Sequence, residues 1–240
     1  MEGNQFEKHK GNNNGPSLLT LDLALSSPRL YKQKLIELFC EGTERGAAIW
    51  EKQNQLGIMD TNSLLLDTTT WVSHSTLRPD GKREVSLGVQ PIPPKTLPYF
   101  MFNYENFSED DTVVYRCVHE LCHDVAFYAL QKNSNFIRLY NLALSMRKSP
   151  QKIGLARLAS WPFYEKRGKE TQALEDVTEL LNALAHGEKY LSDYFDYLAN
   201  PNNQTSRKDQ KLQSIDYPQV RQTLWQQIHD GMDMYLNRID

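Results

Sequence analysis

The chain has 240 residues, 40% of them hydrophobic, with a formal net charge of −3 and a pI near 6.1. That length and apolar content suffice to bury the core of one domain, and the mild acidity argues against the basic footprint of a nucleic-acid binder. There is no apolar run of about 18 residues, so no membrane span is expected, and three cysteines do not make a disulfide framework.

Residues 1–16 are polar and Asn/Gly-rich, which predicts disorder and, for want of an apolar signal core, a cytoplasmic protein, with leaderless export left open. Ser27 to Leu56 reads as helical, with Leu30, Leu35, Leu38 and Phe39 at helical spacing and an interruption between Gly42 and Gly46. A β-rich passage follows. Leu64 to Val72 and Glu84 to Val89 flank Arg78-Pro79-Asp80-Gly81-Lys82, where proline presets φ and glycine accepts a positive one, so an antiparallel hairpin is predicted. Leu97 to Asn103, behind the cluster Pro91, Pro93, Pro94 and Pro98, completes a small N-terminal antiparallel sheet.

The next helix should start at Ser108, an N-cap residue with Asp111 three positions on as its reciprocal partner. Val114, Val118, Leu121, Val125 and Ala129 then recur every three or four residues, which makes an apolar stripe with Cys117 and Cys122 as small buried neighbours. On this helix lies His119-Glu120-Leu121-Cys122-His123. Two histidines four apart project about 40° from each other, close enough to share one cation, and Glu120, about 100° round, is placed to meet a water on that cation. The helical setting matters because a metal site needs dry, rigid support.

Helical stretches are predicted near 133–147 and 150–160, then from Thr171 to Gly187, from Glu188 to Leu198 and, after a polar loop at 200–214, from Pro218 to Arg238. The last is striped by Val220, Leu224, Ile228, Met232, Tyr235 and Ile239, and is expected to dock on the core. A catalytic zinc takes three protein ligands and leaves a fourth position to water, so the two histidines need a partner elsewhere. A third histidine is absent at the spacing of the extended metzincin pattern, where Ala126 and Ala129 stand. The best source is the Thr171–Gly187 helix, on which Glu175, Glu179, Asn182 and His186 form a polar stripe beside Leu174, Val177, Leu181 and Leu184.

With this pentapeptide and a later acidic helix the chain resembles the gluzincin branch of the zincin metallopeptidases. The resemblance spans roughly residues 84–186 in order of elements, and only the pentapeptide in it is specific. It implies a zincin-like α+β fold: a small N-terminal antiparallel sheet, the active-site helix, and a helical C-terminal half. In domains this reads as a disordered 1–16, a metallopeptidase domain over 17–199, and a polar loop with a docking helix over 200–240. It implies Zn²⁺ held by His119, His123 and Glu175, with Asp176 or Glu179 as alternative third ligands. Glu179 would otherwise hold a ligand imidazole by a hydrogen bond, and Glu120 would serve as general base. Tyr164, His186 and Tyr190 are candidate donors to the oxyanion, although a last-turn histidine such as His186 also suits a dipole-compensating surface role. The partner implied is a peptide or protein substrate, and because zincins bind extended substrates along an edge strand, Glu84–Gln90 becomes a candidate cradle. The opposing expectation is a non-enzymatic helical interaction protein with a structural or incidental metal site. A deformylase-like amidase would need an upstream cysteine ligand, and Cys40 lacks the glycine-rich approach such a site uses.

Overall fold

The computed structural model describes residues 17–91, 108–148, 168–199 and 217–239. The strand expected at Leu97–Asn103, the helix expected over 150–160 and Tyr164 lie outside these residues.

The chain enters through three short helices, α1 (Leu21–Ser26), α2 (Pro28–Gly42) and α3 (Glu44–Gln55). Thr20 caps α1 by accepting from Leu23 N, and Pro28 opens α2, where a missing N–H costs nothing. The interruption between α2 and α3 falls on Thr43, which adopts an extended backbone while its hydroxyl donates to Phe39 O at 2.6 Å.

Strands β1 (Leu64–Asp67), β2 (His74–Leu77) and β3 (Arg83–Gly88) form one sheet in the order β1-β3-β2. The predicted turn is present, with Gly81 at φ 79° and Arg78 N donating to Lys82 O at 2.7 Å, but it joins β3 to β2. Leu64–Asp67 pairs on the other side of β3 and runs parallel to it, Leu64 opposite Val85 and Leu66 opposite Leu87. The sheet is therefore mixed rather than antiparallel. The cause is local: Asp67 accepts from both Thr69 N (2.9 Å) and Thr69 Oγ1 (2.6 Å), which turns the chain and ends the strand there. Since β3 is paired on both sides, Glu84–Gly88 has no free edge, and the cradle expected over Glu84–Gln90 is not available; among the described residues β1 and β2 are the outer strands.

Helix α4 (Glu109–Lys132) crosses the sheet and is the centre of the molecule. Ser108 and Asp111 form the expected reciprocal cap, and Val118, Leu121, Val125, Ala129 and both cysteines are wholly buried. Helices α5 (Ser134–Lys148), α6 (Lys169–Ala185), α7 (Glu188–Ala199) and α8 (Tyr217–Leu236) complete the described residues, with α6 packed between α4 and α5, and α8 laid on both α4 and α5. On α8, Leu224, Ile228, Met232 and Tyr235 are buried, whereas Ile239, past the helix end, is 95% exposed. The fold is thus α+β, mostly helical, with one small sheet. Among the described residues no helix is long and apolar enough to cross a membrane.

Two close approaches fix the frame around α4. Arg116, buried, donates to Gly88 O at 2.8 Å and to Trp71 O, which ties the sheet to the helix. A Cβ on Gly88 would stand 2.5 Å from the Trp71 carbonyl carbon and 2.6 Å from Val72 O, so a side chain there would push the sheet off its neighbour.

Candidate metal centre

Spacing by four residues sorts α4 into two chemical faces. Tyr115, His119 and His123 look towards α6, and Arg116, Glu120 and Asp124, about 100° round, look towards the sheet. The sequence pattern thus sends imidazoles to one neighbour and the intervening carboxylate to another.

On the α6 side, Glu175 Oε2 lies 3.2 Å from His119 Nε2 and 3.5 Å from His123 Nε2. Tetrahedral ligands with bonds of about 2.0–2.1 Å stand about 3.3–3.4 Å apart, so these separations are those of neighbouring corners around one small cation. The two imidazoles meet edge to face, ring centres 5.0 Å apart. Ligand atoms of His119, Glu120 and His123 all lie within 4.8 Å of one another, and this group could hold a metal ion. Glu120 Oε2 is 3.7 Å from His123 Nε2 and has no hydrogen-bond partner, which leaves that oxygen open towards the cluster.

Glu179 sits behind His119, with Oε2 2.8 Å from Nδ1 and Oε1 accepting from the Tyr115 hydroxyl. An ionised carboxylate only accepts, so this contact puts a proton on Nδ1 and directs Nε2 at Glu175. His123 is set similarly by Thr178, whose hydroxyl is 3.4 Å from its Nδ1. Asp176 is wholly buried but points about 100° away from Glu175 round the helix, and the contacts to the imidazoles come from Glu175 and Glu179.

The electrostatics are those of a site that wants positive charge. Burial opposes the His119 imidazolium, but its hydrogen bonds to Glu175 and Glu179 and the charges of Glu179 and Glu120 outweigh that, and its pKa is driven well above the usual imidazole range. Burial pushes the Glu120 carboxyl up to about 7; the nearby His119 works against the rise and Glu175 adds to it. Glu175, Asp176 and Glu179 are 6%, 0% and 3% exposed, so this helix face is not the solvated acidic stripe its composition would otherwise suggest.

Of the candidate oxyanion donors, His186 and Tyr190 stack around Tyr115, with ring centres at 5.0 and 6.1 Å, on the Nδ1 side of His119 and away from Glu175. His186, the C-cap of α6, is half-buried with its Nε2 enclosed, and desolvation lowers its pKa to about 4, so as a neutral ring it does not compensate the helix dipole. Sequence reading missed Tyr115 and Thr178. Tyr115 alone carried a signal, standing four residues before His119 on the same face as both imidazoles. Compared with known protein families, with curated proteins and with solved structures, the chain matches none of them.

Proposed function

We propose that the protein is a zinc-dependent hydrolase of peptide bonds, in which His119, His123 and Glu175 hold the metal and Glu120 is the general base. One observation carries this reading: a single oxygen of Glu175 stands at tetrahedral-corner distance from the Nε2 atoms of both histidines. When bound there, zinc would supply Lewis acidity, lowering the pKa of a water and polarising a carbonyl. Glu120, its Oε2 open to the cluster, takes a proton from water and returns it to the departing amine. Glu179 fixes the tautomer of His119, and Thr178 braces His123. The substrate class is peptide or protein, and a cytoplasmic location is the companion expectation.

The test is zinc content and hydrolysis of a quenched-fluorescent peptide library by wild type and Glu120→Gln. The reading expects one zinc per chain in both and hydrolysis in wild type only. Substoichiometric zinc, or equal hydrolysis by the variant, overturns it. A closed, structural site is the rival, favoured by the nearness of Glu120 to His123, since a fourth protein ligand would exclude water. Chelation separates the two: a catalytic site falls silent while the fold persists on its wholly buried apolar core, whereas a structural site unfolds.

A further inference from the structure

On the Nδ1 side of His119 the chain builds a stack of three rings drawn from three helices. Tyr115 of α4 lies nearly parallel to His186 at the end of α6, ring centres 5.0 Å apart and planes 21° apart. Tyr190 of α7 packs against both, at 6.1 and 5.5 Å. Tyr115 is 3% exposed, so its ring is held between these neighbours and its hydroxyl is delivered to Glu179 Oε1. A phenol is protonated at neutral pH and a carboxylate only accepts, so Tyr115 is the donor.

Helical spacing makes the contact productive. Tyr115 and His119 stand one turn apart on one face of α4 and offer a hydroxyl and an N–H to the same neighbour. Glu179 bridges them, with Oε1 on Tyr115 and Oε2 2.8 Å from His119 Nδ1. A glutamate has three side-chain torsions, the last of them broad, so one bond to an imidazole leaves its carboxylate free to turn. A second bond, from a donor fixed one turn away, pins the carboxylate plane and with it the direction of Oε2. Glu179 is itself 3% exposed, which keeps water from standing in for the phenol.

We propose that Tyr115 is a positioning residue for the metal centre: its hydroxyl pins Glu179, which holds His119 with Nε2 turned to Glu175. This rests on the reading of His119 as a metal ligand. It brings α7 into the support of a centre to which that helix gives no ligand, because Tyr190 and His186 wall in the ring that carries the hydroxyl. A buried tyrosine also bonds a nearby carboxylate simply to satisfy its hydroxyl, and a bond of that kind would contribute to stability while leaving the imidazole where it is.

Tyr115→Phe separates the two, since it removes one oxygen and keeps the stacked ring. Zinc competition against a chromophoric chelator is expected to show an affinity about 3- to 10-fold lower, less than the roughly 10- to 100-fold for direct partners of metal-bound histidines. In a Glu179→Ala background, where no carboxylate is left to aim, the same substitution should change affinity by less than about twofold. Nitrogen-15 NMR gives the readout that a stabilising role would not move: the low-field His119 Nδ1–H resonance of wild type should shift upfield in Tyr115→Phe as its acceptor turns away. Wild type alone supplies one more, a Tyr115 hydroxyl proton held out of exchange with water, so the test survives a variant that does not fold. A lowered Tm with unchanged zinc affinity and an unmoved Nδ1–H signal overturns the proposal, as does an undiminished effect without Glu179 or a missing hydroxyl signal in wild type. A wild type that takes up no zinc overturns the metal reading instead, and the Nδ1–H signal of the metal-free protein still decides whether Tyr115 aligns Glu179.

Discussion

Replacing Glu179 with glutamine removes one charge and no heavy atom, which isolates what the carboxylate behind His119 contributes. In the wild type its two oxygens face His119 Nδ1 at 2.8 Å and the Tyr115 hydroxyl. With the amide oxygen turned to Nδ1–H, the amide nitrogen donates to the Tyr115 oxygen, so both contacts survive and the charge does not. A hydrogen bond to a charged group contributes about 1.5–3 kcal/mol net, against about 0.5–1.5 for a neutral pair. The difference, about 1–1.5 kcal/mol, predicts roughly a 10-fold loss of zinc affinity, at the lower end of the roughly 10- to 100-fold range for partners of metal-bound histidines. The assay is zinc competition against a chromophoric chelator at pH 7, paired with thermal melting of the metal-free protein. Because the Glu179 charge also helps hold the His119 imidazolium in the metal-free protein, the variant's metal-free Tm should fall modestly while unfolding stays cooperative. Zinc affinity within threefold of wild type would refute the role given to Glu179, and a collapsed metal-free Tm would make it a structural residue instead.

His186 predicts an acid limb in stability. Its pKa is lowered to about 4 from the 6.5 of the unfolded chain, so between those pH values the unfolded state binds the proton and the folded state does not. Stability is intact above pH 6.5 and declines as pH falls, by up to about 3 kcal/mol at pH 4. His186→Phe keeps the stack on Tyr115 and removes the proton site, so the Tm difference between pH 7 and 4.5 should shrink; superimposable profiles would refute the assignment. Gly88→Ala drives a methyl into the Trp71–Val72 backbone and should cost about 1–3 kcal/mol, or about 2–12 °C in Tm, while Gly42→Ala, with nothing within 4 Å of the new methyl, should leave Tm unchanged or raised. Equal melting of the two variants would contradict the close approach at Gly88.

What could be read from the sequence was what depends on one helix at a time. His119, Glu120 and His123 are a one-turn pattern, and Ser108 with Asp111 is a local cap, so both were visible before any fold was known. The acidic helix and its two glutamates were visible as a stripe, because α6 is amphipathic at helical period and its partner helix had been located. The parallel pairing of β1 was not, since it depends on an aspartate turning the chain at Thr69, and a four-residue strand has too few side chains to declare its neighbour. Ser75 and Arg83 were hidden for a related reason: their meeting is set by hairpin register, and a slip of one residue would have put them on opposite faces of the sheet. Asp124 and Tyr235, 111 residues apart, meet through helix docking that no short spacing encodes.

The central claim is one open, three-ligand centre built by His119, His123 and Glu175. X-ray absorption of the zinc-loaded protein tests it directly. The account predicts two imidazoles and light oxygen or nitrogen scatterers at about 2.0–2.1 Å, with one imidazole contribution lost in His119→Ala and the total unchanged by Glu120→Gln. A sulfur scatterer near 2.3 Å, or a coordination shell that loses an atom in Glu120→Gln, would contradict it.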